Sequence, residues 1–261
     1  MLFLREFILM VQHQHNTEWK VKLLGDHAIQ FCLPEKIDPF IVEQIQHLNQ
    51  YIMAQNLLFF KDCIPSYHTL TVIFDLNKLG KMTWKGTPYP IPLQLGQSLL
   101  KEFLADTNEV KKKETHQQVI QIPVCYDISL GSDLALVAKE NNIGIEDIIQ
   151  KHCQPIYQVY CIGFLPGFAY MGKVDKAIQS PRHATPRPLV MAGSVGIAGA
   201  QTGIYPMNSP GGWKIIGRTP KTIFNKEMAP YAKFKMGDQV QFFPISLKEF
   251  TKQNEYAIEH T

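Results

Sequence analysis

Arginine is scarce in this 261-residue chain, and three of its four copies, Arg182, Arg187 and Arg218, fall between Cys161 and Pro220. Positive charge elsewhere comes almost entirely from lysine. A guanidinium is planar, permanently charged and able to grip a carboxylate or phosphate through two parallel N–H bonds, which an ammonium cannot do. The same stretch holds ten of the seventeen glycines, six lysines and arginines, and a single acid, Asp175. Gly163, Gly167, Gly193, Gly196, Gly199, Gly203, Gly211 and Gly212 let a backbone turn sharply and expose amides to an anion. Pro181 and Pro186 each precede an arginine and restrict the chain that aims it. Gln201, Thr202, Tyr205 and Ser209 add neutral donors and acceptors. The pattern reads as a substrate or anion site for a small carboxylate, each charge-assisted bond contributing about 1.5–3 kcal/mol. Taken singly, every one of these residues has a plainer role: a turn glycine, a core aromatic, an arginine fastening its own loop.

Other chemistries lack their signatures. Gly193-Ser194-Val195-Gly196 does not have the G-x-S-x-G spacing of a nucleophile elbow. No G-x-x-x-x-G-K-[ST] occurs, so a P-loop does not bind ATP here, and no H-E-x-x-H or comparable cluster argues for a metal. His152 closes a helical segment just before the key stretch; it reads as complementing the helix end, with a catalytic proton carrier as the weaker alternative. No other catalytic residue is assigned. A net charge of +3, with no basic run interleaved with aromatics, argues against nucleic acid. Five cysteines, an odd number without a C-x-x-C pair, favour a reducing compartment, and the cytoplasm is expected. The apolar run from Leu2 to Val11 is interrupted by Arg5 and Glu6 and is too short to span a bilayer. It reads as an extension with an apolar face, or a start placed too early, and no membrane is expected.

The elements that must carry these residues fall into two textures. Trp19–Leu24 and Ala28–Leu33 read as strands joined at Gly25-Asp26. Ile37, Ile41, Ile45, Leu48 and Ile52 recur at helical spacing behind Asp38-Pro39. Strands are expected at Leu57–Phe60 and Thr69–Phe74, and a helix at Leu93–Leu104. This alternation indicates a small α+β sandwich over 18–110, behind an extension of 1–17. The polar segment 111–118 is a candidate linker, and 119–250 a second domain with a tail at 251–261. That second domain opens with a strand at Val119–Tyr126 and helices at Asp133–Asn141 and Ile145–Cys153. Short strands at Tyr157–Ile162, Leu189–Met191, Trp213–Ile216 and Gln239–Phe243 then alternate with Gly/Pro turns, which indicates an antiparallel barrel or sandwich.

Read whole, Ile162-Gly-Phe-Leu-Pro-Gly-Phe168 through Gly217-Arg-Thr-Pro220 resembles the KipI / allophanate-hydrolase-subunit-1 family, typified by the B subunit of bacterial 5-oxoprolinase. Leu24-Gly-Asp26, Pro65-Ser-Tyr67, Ile122-Pro-Val-Cys-Tyr-Asp127 and Met236-Gly-Asp-Gln-Val240 extend the resemblance over roughly residues 18 to 246. It implies an α+β N-terminal domain and a cyclophilin-like antiparallel β-barrel. It also implies C-type and A-type partner subunits that together hydrolyse 5-oxo-L-proline to L-glutamate with ATP, the chain itself holding no tightly bound cofactor and being inactive alone. Two alternatives come with the family: an inhibitor that binds a sensor histidine kinase, and a carboxyl-transfer or allophanate-hydrolase component of urea degradation. The chain departs from the family pattern at His183, where a second arginine usually follows Arg182, at Met191, and at Met171-Gly-Lys-Val174.

Overall fold

The computed structural model describes residues 18–79, 91–106 and 118–259. The expected extension 1–17 and nearly all of the expected linker fall outside these residues. The chain divides into two compact units, Met1–Thr115 and His116–Thr261.

The first unit contains β1 (Lys20–Leu24), β2 (Ala28–Cys32), α1 (Pro39–Ala54), β3 (Phe60–Ser66), β4 (Thr69–Phe74), the short α2 (Leu76–Leu79) and α3 (Ile91–Asp106). The strands form an antiparallel sheet in the order β1-β2-β4-β3. Asp38 caps α1, its carboxylate accepting the Phe40 amide at 3.0 Å, and Pro39 opens the first turn where its missing N–H is harmless. The spacing read from the sequence is the buried stripe of α1: Ile41, Ile45, Leu48 and Ile52. It packs with Leu70, Val72 and Phe74, which alternate inward along β4. The strand expected at Leu57–Phe60 begins only at Phe60 and runs on through Cys63 and Pro65.

The second unit contains β5 (Ile120–Cys125), α4 (Leu134–Asn141), α5 (Ile145–Cys153), β6 (Tyr157–Ile162), β7 (Ala169–Gly172), β8 (Arg187–Val190), β9 (Ser194–Ala198), β10 (Gln201–Ile204), β11 (Ser209–Gly211), β12 (Lys214–Arg218), β13 (Gln239–Ile245) and α6 (Leu247–Glu259). Seven strands close into a barrel in the order β10-β7-β6-β13-β5-β12-β9, while β8 and β11 form a separate two-stranded sheet. Pairing is antiparallel except between β13 and β5, which run parallel. Ile122, Val124, Val195, Ile197, Ile204, Ile216, Val240 and Phe242 fill the interior, with Leu134 and Val137 of α4 and Ile148 of α5 completing the cluster. The tail expected from residue 251 is instead the continuation of α6, whose Phe250 is buried. No helix among the described residues is long and apolar enough to cross a membrane.

Gly131 marks where α4 is set against the barrel. A Cβ there would collide with the backbone carbonyl oxygen of Ile216 and lie 3.1 Å from the Gly217 nitrogen. Neither group can swing aside, since both belong to β12. Gly131→Ala is expected to destabilise the protein by about 1–3 kcal/mol, read as a lower midpoint in urea unfolding.

Candidate functional site

Strand alternation builds the site. Along β10, Thr202 and Ile204 point into the barrel, so Gln201, Gly203 and Tyr205 share the outer face. On that face Phe168, Val190, Ala198, Tyr205, Trp213 and Ile215 form a second apolar cluster, with Leu165 and Tyr170 packed against it. Its rings meet edge to face: Phe168–Tyr205 at 5.4 Å, Phe168–Trp213 at 5.3 Å and Phe168–Tyr170 at 4.9 Å. Phe164 stands over Phe168 at 5.6 Å and is 61% exposed, with φ of 68°. A left-handed phenylalanine costs about 1–3 kcal/mol and is characteristic of ligand-facing loops.

Arg182 lies over the Trp213 ring, 5.8 Å from its centroid, and makes no hydrogen bond among the described residues. Burial pushes the Tyr205 phenol above its usual range, partly offset by the Trp213 amide and by the nearby charges of Arg182 and Arg187. Burial does the same to Tyr170, with Arg182 again opposing it. Two guanidiniums and two phenols therefore share one aromatic-walled face.

The residue that organises this face comes from outside the glycine-rich stretch. Asp133, 2% exposed, opens α4, yet its carboxylate makes no cap bond to that helix. Instead Oδ1 accepts from Arg187 Nη2 and from His183 Nε2, the latter at 3.0 Å, and Oδ2 accepts the Ile215 amide at 2.7 Å. Burial raises the carboxyl, but Arg187, the Ile215 amide and His183 outweigh it and hold Asp133 below the usual carboxylate range. Arg187 is thus partly neutralised. Lys214 is likewise paired, to Glu140 at 3.0 Å. In sequence Asp133 looks like a routine helix start; the signal that it is more lies only in the fold, which turns its side chain away from the helix.

The sequence candidates separate in space. Arg182, Arg187 and Tyr205 come together, with Gln201 on the same outer face. Ser209 is buried in β11, its hydroxyl donating to the Pro210 carbonyl at 3.2 Å. Arg218 ends β12, and its Nε donates to the Ala192 carbonyl at 2.8 Å, whereas Arg182 lies over Trp213 and Arg187 is held by Asp133. The three arginines are thus held by three different partners. Thr202 is fully buried inside the barrel, donating to the Gly196 carbonyl at 3.0 Å and meeting His152 Nε2 at 2.8 Å.

His152 is also fully buried, stacked on Phe242 at 4.6 Å, with Nδ1 2.7 Å from the Tyr126 hydroxyl. Because Thr202 donates onward to Gly196, Nε2 carries the proton and Nδ1 accepts from Tyr126. Burial depresses its pKa to about 3. A neutral imidazole with both nitrogens bonded and no exposed surface is a core element, not a proton carrier for the outer face.

The glycines divide too. Gly193 (φ 82°), Gly199 (φ 57°) and Gly167 (φ 81°) are turn glycines, and Gly163 lies in the Phe164 loop. Gly196, Gly203 and Gly211 sit within strands. There a Cβ would press on Trp213, on the Ala169 carbonyl and on the Tyr205 phenol respectively. Those three make room for packing and do not line a ligand loop. Gly212 accepts the His183 amide at 2.8 Å, fixing the segment that carries Arg182.

Residues 19–234 match the family described as carboxyltransferase domain, subdomain C and D. The chain is similar to a protein of Bacillus subtilis (strain 168) named as the B subunit of 5-oxoprolinase, at 37% identity over 90% of this chain and 96% of the relative. The 5-oxoprolinase B subunit of Haemophilus influenzae is 49% identical over 51% of this chain and 63% of its own length. Among solved structures, TTHA0988 superposes with a TM-score of 0.69 at 27% identity, covering 84% of this chain but only 40% of that one.

Proposed function

This chain belongs to the carboxyltransferase subdomain C and D family, and from that premise we propose that it is the B subunit of an ATP-dependent 5-oxoprolinase. In this reading it works with C-type and A-type subunits to open the lactam ring of 5-oxo-L-proline to L-glutamate. The similarity to the Bacillus subtilis B subunit, over 96% of that relative, carries the reading. The outer face fits the substrate's chemistry. A guanidinium with open donors, Arg182, and the donors of Arg187 that Asp133 and the Trp213 carbonyl leave over offer bonds to a carboxylate, and the exposed Phe164 offers apolar surface to a five-membered ring. Gln201 flanks the same face and orients the bound molecule, while Tyr205, 1% exposed, packs beneath that face. His183, held by Asp133 through Nε2, keeps its ring in one orientation beside them. ATP is used by the assembly, and no ATP contact is assigned to this chain.

The test is reconstitution. The isolated chain is expected to release no glutamate from 5-oxoproline and ATP, and the mixture with cognate A-type and C-type subunits to release it continuously. An inactive mixture of three folded subunits would overturn the reading.

A further inference from the structure

Arg218 contrasts with two other cations of the barrel. Arg187 has Asp133 and Lys214 has Glu140. Arg218 has no acidic partner among the described residues, and one of its five donors is used, on the Ala192 carbonyl. It is half-buried, and burial alone lowers its pKa. A desolvated charge without a counter-ion is costly to keep.

Its neighbours are polar where they matter. Arg218 pairs directly with Ser194 of β9 on one side and with Cys125 of β5 on the other, so the three side chains stand in a row on one face of the sheet. The Ser194 side chain is 4% exposed and makes no hydrogen bond among the described residues. The turn above it is set by Gly193, whose φ of 82° brings it so close to the Thr219 carbonyl that a Cβ could not fit. That turn presents the Ala192 carbonyl to Nε and thereby holds the guanidinium in a fixed direction, with its terminal nitrogens still open.

We propose that Arg218 and Ser194 form a second anion site, built on other donors than the Arg182/Arg187 pair, that takes a small oxyanion, carboxylate or phosphate, on the guanidinium's terminal N–H groups and the serine hydroxyl. The proposal does not depend on the oxoprolinase reading. Ser194 adds the third donor that an oxyanion with several lone pairs requires, and the partial burial strengthens each bond relative to a surface arginine.

Thermal unfolding of the full chain decides it, with inorganic phosphate in one arm and glutarate in the other, each at low millimolar concentration and at ionic strength matched with sodium chloride. At least one anion raises the unfolding temperature above chloride alone. Arg218→Lys and Ser194→Ala each raise the concentration needed by at least tenfold, while Arg182→Ala keeps the response. A response to phosphate alone, to glutarate alone or to both identifies the oxyanion accepted. No response to either anion overturns the proposal. So does a response that survives in both Arg218→Lys and Ser194→Ala, or one that disappears with Arg182→Ala. Arg218→Lys retains charge and Ser194→Ala retains the turn, so the comparison does not rest on a variant that fails to fold.

Discussion

Arg182→Ala is expected to raise KM for 5-oxoproline in the reconstituted assembly by about 50-fold while leaving the unfolding temperature within a degree or two. The magnitude follows from a charge-assisted contact of about 1.5–3 kcal/mol, with every 1.4 kcal/mol a factor of ten. The absence of a stability effect follows from geometry. Arg182 is exposed, and its one described contact is the Trp213 ring at 5.8 Å, worth about 0.5–1 kcal/mol. Arg187→Ala behaves differently. It removes a ligand contact and also strips Asp133, 2% exposed, of its principal counter-charge. Breaking one side of a buried pair costs about 3–5 kcal/mol. Loss of activity in the Arg187 variant therefore mixes two causes, whereas Arg182 isolates one. Kinetics with unchanged KM in Arg182→Ala would remove the carboxylate grip from this face.

The second large effect is on acid stability. His152 has a pKa of about 3 in the folded protein against an ordinary 6.5. Below pH 6.5 the unfolded chain binds a proton at this residue and the folded chain does not. The stabilisation is thus complete above about pH 6.5, declines as pH falls, and stops declining near pH 3. At about 1.4 kcal/mol per pH unit, roughly 3 kcal/mol is lost between pH 6.5 and 4.5. Asp133 adds its own loss only at lower pH, because its carboxyl is held below the usual range and must be protonated there. Urea unfolding at pH 7.0, 5.5 and 4.5 should show the decline in the unmodified protein. His152→Gln, which has no titrating ring, should start lower at pH 7.0 and follow a flatter slope. Parallel slopes for the two proteins would mean that the buried imidazole is not the group responsible.

What is legible in the sequence is whatever is encoded locally. The stripe Ile41, Ile45, Leu48 and Ile52 specifies α1 because a helix buries every third or fourth residue regardless of what lies opposite. The strands β7, β9, β10 and β11 carry no such signal, since glycine and proline at 172, 196, 203 and 210 read as turns when their partners are unknown. Gly203 is in a strand because Ala169 and Phe168 press on it, and both come from an earlier part of the chain. The candidate site is legible in its composition: Arg182, Arg187 and Tyr205 do meet. It is not legible in its wiring. Asp133 lies 54 residues from Arg187 in sequence, and no local pattern distinguishes it from the Asp38 that simply caps α1. The low acid content of the glycine-rich stretch overstates its free positive charge, because Asp133 and Glu140 are brought to Arg187 and Lys214 from elsewhere.

The closing strand of the barrel has a consequence for biosynthesis. β13 lies parallel to β5, from Val240 opposite Ile120 to Ile245 opposite Cys125, and also borders β6. The earliest strand of this unit must therefore wait for the last. A nascent chain that has emerged only as far as β12 exposes two unpaired strand edges, which invite chaperones or wrong partners until Ile245 leaves the ribosome. Translation stalled or truncated inside that window should yield insoluble product.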